Sequence, residues 1–350
     1  ILRMGHAATS RERKVTMYHD WLDRWDEQRA ARGDAVKVTS DMALNSKTPF
    51  PQANEATSIE DLGDLADLAN ADPTFFDLPH EDDPTFNRTE QWLKFPSSLS
   101  TATEANNTVW SKITEGRARG RALIVFHHWN ATKRNQTLAG FFAKQGITVI
   151  EIALPYHLER SRHGASHASD MLSPDVGRTL HSVRQAVLDG RKLIKWLKAE
   201  GYDDIAVLGM SLGSWVAGLV AAHDTAVSKA ALFLTAGSLA DMVWTGRATR
   251  HIRASLAPKI DVVDLRRAWG PISLENHITK LTRPDLAIQI VLGNRDTVVW
   301  PELSRQFIDA LTAAGASPNV LKLNCGHYSL ALPPYIIRAG LSVRKLLKHR

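Results

Sequence analysis

Residues 205–223 constrain the fold more than any other part of this 350-residue chain. Residues 205–208 form a short apolar run typical of a buried strand, and residues 215–222 are apolar and alanine-rich, as expected of a packed helix. Between them lies Gly-x-Ser-x-Gly, centred on Ser211. The glycines lack Cβ atoms, so the strand can turn sharply into the helix. The turn predicts a reactive Ser211 beside the free N–H groups of the helix N-terminus, which can stabilise an oxyanion.

Length and composition are those of one large α/β domain with additional segments. No apolar run reaches eighteen residues, so no transmembrane helix is expected. Residues 1–14 lack the apolar stretch of a signal peptide. The single cysteine, Cys325, excludes an internal disulfide and fits a reducing compartment, and we interpret it as a packing residue. We therefore expect a cytoplasmic location.

Charge is distributed unevenly within a net charge of +6. Residues 54–92 contain eleven Asp and Glu residues but a single Arg, so the rest of the chain is strongly basic. The basic residues are scattered, and nothing resembles a stacking platform or a recognition helix. We expect no nucleic-acid partner, and interpret these charges as a solvated surface partly covered by the acidic segment.

The chain divides near residue 90. Residues 1–90 read as an N-terminal extension with helices at 18–31 and 59–69, acidic in its second half and followed by a proline-containing loop at 70–88. Residues 91–350 alternate strands and helices, which predicts an α/β fold with a doubly wound, mostly parallel sheet. An irregular insertion rich in Trp and Arg interrupts this pattern at about 235–285. The predicted strands include 121–126, 147–152, 205–208, 230–234, 288–292 and 320–323, and the predicted helices include 137–145, 175–200, 301–314 and 333–349.

A general base and an acid for Ser211 are expected in loops just after strands, where a doubly wound sheet presents its catalytic groups. Asp296 comes four residues after the strand ending at residue 292, and His327 four residues after the strand ending at residue 323. Glu302 and Asp309 are alternative acids, but both lie in the following helix. The order serine, acid, histidine predicts a catalytic triad of Ser211, Asp296 and His327.

From about residue 91 to its end, the chain resembles the α/β-hydrolases of the serine esterase, lipase and peptidase superfamily. The motifs that carry this resemblance are VFHHWN, GMSLG, GNRDTVV and CGHYSL. More loosely, HHW and LPYHLERSR are similar to the abhydrolase-domain-containing protein 18 family, which favours an acyl-ester hydrolase. The resemblance implies an α/β-hydrolase fold in which residues 235–285 form a lid.

It also implies an oxyanion hole. One donor is the N–H of Leu212, and the other comes from the loop after the strand 121–126. Many relatives have a glycine where this chain has His128. The Trp129 N–H is the first candidate for the second donor, His128 the second, and the Asn130 side chain a third.

Loops near the expected active-site mouth supply candidates for substrate binding. Tyr156, His157, Arg160 and Arg162 could hold a carboxylate or phosphate, although solvated loop charges explain them equally well. Trp244, in the insertion, is expected to shape the substrate pocket. His163 and His167 have a metal-like i, i+4 spacing, but no HExxH or carboxylate pattern accompanies them, so no metal site is expected.

These features together predict a serine hydrolase that cleaves a small-molecule carboxylic ester through an acyl-enzyme and needs no cofactor. A peptidase or amidase with the same triad is the first alternative. A non-catalytic binding member of the fold is the second. The sequence leaves open a homo-oligomer and the role of residues 1–90.

Overall fold

The computed structural model describes residues 10–37, 39–79 and 85–348. The extension contains helices α1 (Ser10–Asp34) and α2 (Ile59–Ala71). A capping box between Ser58 and Asp61 starts α2. Both predicted helices of the extension are present, and α1 is longer than expected. Residues 1–9 of the extension and the predicted helix end at His349 lie outside the described residues.

A nine-stranded sheet forms the centre of the described chain, in the order β1-β2-β3-β5-β4-β6-β7-β8-β9. The pairs β1–β2, β2–β3 and β3–β5 are antiparallel and the other five are parallel. This confirms the mostly parallel α/β sheet expected from the sequence. The strands are β1 (Asn87–Thr89), β2 (Trp92–Pro96), β3 (Thr108–Thr114), β4 (Arg121–Phe126), β5 (Thr148–Ile152), β6 (Asp204–Met210), β7 (Val227–Phe233), β8 (Ala287–Gly293) and β9 (Asn319–Leu323).

Helices cover both faces of the sheet, because alternate residues of a strand point to opposite faces. In β4, Ile124 packs into the apolar core on the face covered by the helices at 176–199 and 212–223. Leu123 packs on the opposite face, with the helices at 136–143 and 335–348. The remaining α-helices of the described chain are α3 (Gln136–Ala143), α4 (Val176–Ala199), α5 (Leu212–His223), α6 (Leu239–Thr245), α7 (Arg250–Leu256), α8 (Val262–Ala268), α9 (Ile278–Leu281), α10 (Pro301–Ala313) and α11 (Tyr335–Lys348).

The insertion at 235–285 lies between β7 and β8 and contains the short helices α6 to α9. Its Trp269 is fully buried and donates a hydrogen bond from its indole N–H to the carbonyl of Val176 over 3.0 Å. Trp269 is therefore a core residue. Arg267 of α8 forms ion pairs with Asp64 and Asp67 of α2. The acidic part of the extension thus lies against basic residues of the insertion.

None of the helices in the described ranges combines the length and apolar character needed to cross a membrane.

Candidate active site

Ser211 occupies the turn between β6 and α5 with a strained backbone, φ 52° and ψ −125°. The neighbouring strands and helix come so close that only glycine fits on either side. A Cβ atom on Gly209 would lie 2.2 Å from the Gly213 carbonyl oxygen, and one on Gly213 would lie 2.3 Å from that of Phe126. These contacts explain the spacing of the two glycines. They hold the Ser211 side chain at the edge where the parallel strands end.

The structure brings Ser211, His327 and Asp296 together in one chain of hydrogen bonds. His327 Nε2 lies 3.1 Å from Ser211 Oγ, and His327 Nδ1 lies 2.8 Å from Asp296 Oδ2. Because a carboxylate accepts and does not donate, Nδ1 carries the proton and Nε2 is left to accept the serine proton. The arrangement can therefore deprotonate Ser211 when an electrophile is present.

The loops after β8 and β9 hold Asp296 rigidly. Its buried carboxylate uses Oδ1 to accept the backbone N–H groups of Val298 and Val299, over 2.7 and 2.9 Å. The Arg295 N–H donates to the Cys325 carbonyl over 3.0 Å, which joins the aspartate loop to the histidine loop. Each carboxylate oxygen of Asp296 thus has a fixed partner, and one of them faces His327.

Two buried, neutral histidines support the loop that follows β4. His127 donates from Nδ1 to the His128 carbonyl over 2.8 Å and accepts the Leu154 N–H at Nε2 over 3.1 Å. His157 donates from Nδ1 to the Pro155 carbonyl and accepts the Asn130 N–H at Nε2 over 2.9 Å. Burial lowers the pKa of His157 to about 3 and that of His127 well below its usual range. Both rings therefore stay uncharged at neutral pH and act as fixed acceptors.

The same loop carries the predicted oxyanion donors. Within the described ranges, the Trp129 N–H has no acceptor, so it remains free to bind an oxyanion. The Asn130 side chain is partly used, because Oδ1 accepts the Ala168 N–H and Nδ2 contacts His167 Nε2. This contact occupies one of the two N–H donors of the amide, so the role of Asn130 as a third donor stays a prediction. The Leu212 N–H is the first of α5 and has no partner within that helix.

His128 is exposed at the edge of the site. Its pKa is lowered mainly by desolvation, and to a smaller extent by the charges of His327 and Arg29. Because the side chain is exposed, solvent screens part of this effect. His128 is thus an exposed imidazole beside the triad, and its role as a donor stays a prediction.

Arg160 and His157 do not face a substrate, contrary to the expectation from the sequence. Arg160 is fully buried, pairs with the equally buried Asp189 over 2.9 Å and donates to the carbonyls of Asn106 and Ala153. His157 is only 2% exposed, and both of its ring nitrogens are occupied inside the protein. Both residues hold loops in place.

Tyr156 is also buried, and its N–H donates to Asn106 Oδ1 over 3.0 Å. It therefore belongs with Arg160 in the packed interior. Arg162 is exposed, with its guanidinium 4.0 Å from Asp170. Trp244 is half-buried on α6, with the Arg253 guanidinium 5.7 Å from its ring centroid, and its pocket role stays a prediction.

His167 and His251 flank the Trp129 ring, at centroid distances of 4.7 and 6.1 Å. Burial lowers the pKa of each to about 4. No group of three or more potential metal ligands occurs in the part of the chain that the structure describes.

Helix α1 reaches the triad loops, which the sequence did not reveal. Asp26 accepts the N–H groups of Tyr328 and Ser329, the two residues after His327. Asp23 pairs with Arg295, the residue before Asp296. Because these contacts join residues about 300 positions apart, no local sequence pattern identifies them.

Comparison with known proteins gives distant relatives. No family model matches the chain. Over 264 residues, it is 26% identical to the uncharacterized proteins MT2702 and Rv2627c from two strains of Mycobacterium tuberculosis, an alignment that covers 72% of this chain and 59% of each relative. The chain thus spans about three fifths of the length of these relatives.

Solved structures share the fold at low sequence identity. Acetyl xylan esterase 1 from Thermoanaerobacterium sp. JW/SL YS485 matches with a TM-score of 0.56 and 16% identity, covering 88% of this chain and 99% of the esterase. A puromycin-hydrolyzing peptidase from Mycobacterium tuberculosis matches with a TM-score of 0.55 and 15% identity, covering 75% of this chain and 37% of the peptidase. The chain has the α/β-hydrolase fold. These comparisons do not support the looser resemblance to the abhydrolase-domain-containing protein 18 family.

Proposed function

We propose that this chain of α/β-hydrolase fold is a serine hydrolase that cleaves a carboxylic ester through an acyl-enzyme. The observation that carries the proposal is the hydrogen-bond chain from Ser211 Oγ to His327 and on to Asp296, at 3.1 and 2.8 Å. A serine hydroxyl is a weak nucleophile until a neighbouring base removes its proton. Here the base His327 contacts Ser211 through Nε2 and contacts the acid that orients it, Asp296, through Nδ1.

In the proposed reaction, Ser211 Oγ attacks the ester carbonyl carbon as His327 Nε2 takes the hydroxyl proton. The negative charge moves to the carbonyl oxygen, where the Leu212 and Trp129 N–H groups stabilise it. The tetrahedral intermediate expels the alcohol, which receives the proton from His327. Water then attacks the acyl-enzyme with the same assistance and releases the acid and free Ser211.

The strained turn and the supported loop favour this function over a binding role. Ser211 is held at a positive φ that a serine adopts only when its surroundings impose it. The two neutral histidines fix the Trp129 loop before any substrate arrives. Such prearrangement is what stabilisation of a developing oxyanion requires. It has no evident use in a protein that only binds ligands.

Labelling with a fluorophosphonate probe, followed by mapping of the modified residue, tests the proposal. We expect the label on Ser211 and its loss in Ser211→Ala, together with the loss of p-nitrophenyl ester hydrolysis. Ser228→Ala is the matched control, because Ser228 is the second residue of β7, at the end of the parallel strands opposite to Ser211. A folded wild-type protein that takes no label, or a fully active Ser211→Ala, would overturn the proposal.

Amide hydrolysis is the alternative reaction for the same residues, and it is favoured by the likeness to a puromycin-hydrolyzing peptidase. Rates on p-nitrophenyl acetate and p-nitroacetanilide separate the two reactions, since the acyl group is the same and only the leaving group differs. We expect the ester to be cleaved at least about 1000 times faster than the anilide. The reason is that p-nitrophenolate leaves much more readily than p-nitroaniline, unless the enzyme specifically assists an amine leaving group. A much smaller ratio would indicate a peptidase or amidase.

A further inference from the structure

The N-terminal helix α1 packs against both loops that carry the proposed acid and base. Asp23 pairs with Arg295 through Nε and Oδ1 at 2.8 Å, and His19 Nε2 lies 2.9 Å from Asn324 Nδ2. Further along α1, Arg247 binds Glu27 and Asp34, which fastens the helix to the insertion. The extension is therefore attached at several points around the active site.

Asp26 makes the contact nearest to the reacting groups. Its Oδ1 accepts the Tyr328 N–H over 2.6 Å and the Ser329 N–H over 3.1 Å, and the residue is only 8% exposed. No cation pairs with it among the described residues. A buried carboxylate is costly without strong partners, so these two charge-assisted hydrogen bonds are what holds it there.

Gly326 makes this approach possible. A Cβ atom at this position would lie 2.6 Å from both Cγ and Oδ2 of Asp26. The backbone of residues 326–329 therefore wraps around the Asp26 carboxylate, and His327 lies in the middle of this segment. Any displacement of Asp26 moves the backbone from which the His327 ring projects.

We propose that Asp26 is a positioning residue for His327, so that the docked helix α1 completes the active site. The inference rests on the proposed function. His327 must keep two hydrogen bonds at once, to Ser211 and to Asp296. Asp26 fixes the two amides that follow it, and thereby fixes the ring between its partners. A displacement of about 1 Å in a catalytic group can cost about 100-fold in rate.

Kinetics of variants at residue 26 test the proposal. Asp26→Ala removes the acceptor and is expected to lower kcat about 10- to 100-fold with KM changed less than about twofold, since the ring is misplaced but the substrate still binds. Asp26→Asn keeps one oxygen for both N–H groups and is expected to retain most of the activity. Gln28→Ala is the control, because it shortens an exposed side chain of the same helix.

Gly326→Ala provides a second route if Asp26→Ala does not fold. The added methyl group would push the intact Asp26 carboxylate away from the loop. We expect the same loss in kcat as in Asp26→Ala. Activity in Asp26→Ala or Gly326→Ala equal to that of Gln28→Ala would overturn the proposal.

Hydrogen–deuterium exchange separates this inference from the proposed function. In Asp26→Ala, we expect the Tyr328 and Ser329 amides to exchange at least tenfold faster than in the wild type, while those of Val298 and Val299 are unchanged. This holds even if the wild-type protein has no esterase activity, a result that would count against the proposed function alone. Unchanged protection of the two amides in Asp26→Ala would overturn the positioning role.

Discussion

The imidazole of His157 accepts a hydrogen bond from the backbone N–H of Asn130, with 2.9 Å between Nε2 and the amide nitrogen. This bond fixes the loop on which the Trp129 N–H is exposed as a candidate oxyanion donor. His157, which we expected to contact the substrate, is therefore buried and supports the loop that carries Trp129. Its burial, which lowers the pKa to about 3, keeps Nε2 free to accept over the whole neutral range.

Replacing His157 by Phe keeps the ring volume but removes the acceptor. We expect kcat for a p-nitrophenyl ester to fall about 10- to 100-fold, somewhat less than on removal of an oxyanion donor itself. KM should change little. His163→Phe is the control, because His163 is exposed in the same segment. A His157→Phe protein with wild-type kcat would show that the loop does not depend on this hydrogen bond.

Asp296→Asn tests the tautomer of His327. The Asn oxygen can keep the contacts with the Val298 and Val299 N–H groups, which turns its NH2 group towards His327 Nδ1. Nδ1 must then accept, so the proton moves to Nε2 and the ring can no longer take the Ser211 proton. We expect kcat to fall about 10⁴-fold with the fold unchanged.

Asp309→Asn is the matched control for this experiment, since Asp309 is an exposed acid on α10 that the sequence left as an alternative. It should be fully active. The assignment of Asp296 fails if Asp309→Asn is the more damaging of the two substitutions.

Local pattern was sufficient to predict the parallel strands and the three residues Ser211, His327 and Asp296, but not β1, which begins inside the loop predicted at 70–88. Each of the three residues follows a strand, and strand ends can be read from apolar runs and glycines. The parallel arrangement then brings these ends to one edge of the sheet. No knowledge of distant contacts is needed for this step, which is why the predicted residues converge in the structure.

Contacts between distant segments could not be predicted in the same way. Arg160 stands in a polar loop and its partner Asp189 lies in the middle of α4, so nothing local indicates that the two are buried together. Asp26 and Tyr328 are 302 positions apart. A charged residue looks the same in sequence whether it faces solvent or a buried partner, and only the packing decides between them.

Arg160→Met should therefore affect stability rather than substrate binding. It leaves the Asp189 carboxylate buried without its cation, and we expect the free energy of unfolding to fall by about 3–5 kcal/mol. Arg162→Met should change it by less than about 0.5 kcal/mol, because that side chain is 64% exposed. Urea unfolding measures both. A raised KM with unchanged stability in Arg160→Met would restore its predicted role in substrate binding.

Acid should destabilise the protein through its buried histidines. Burial lowers the pKa of His181 to about 4, helped by the charge of Arg184 and opposed by a smaller backbone contact at Thr48. The unfolded chain binds this proton near pH 6.5, whereas the folded chain does not until about pH 4. Stability is thus complete above pH 6.5 and declines as the pH falls towards 4, by up to about 1.4 kcal/mol per pH unit for each such histidine.

His181→Leu removes one of these groups, so unfolding should take up about one proton fewer between pH 6 and 5. The slope of the free energy of unfolding against pH should then be smaller by about 1.4 kcal/mol per pH unit. Urea unfolding at pH 7.5, 6.0 and 5.0 measures the slope. His163→Leu is the control, because it removes an exposed histidine instead of a buried one, and the slope should stay as in the wild type. Equal slopes for the wild type and His181→Leu would mean that His181 is already protonated in the folded protein, and that the acid sensitivity has to come from other groups.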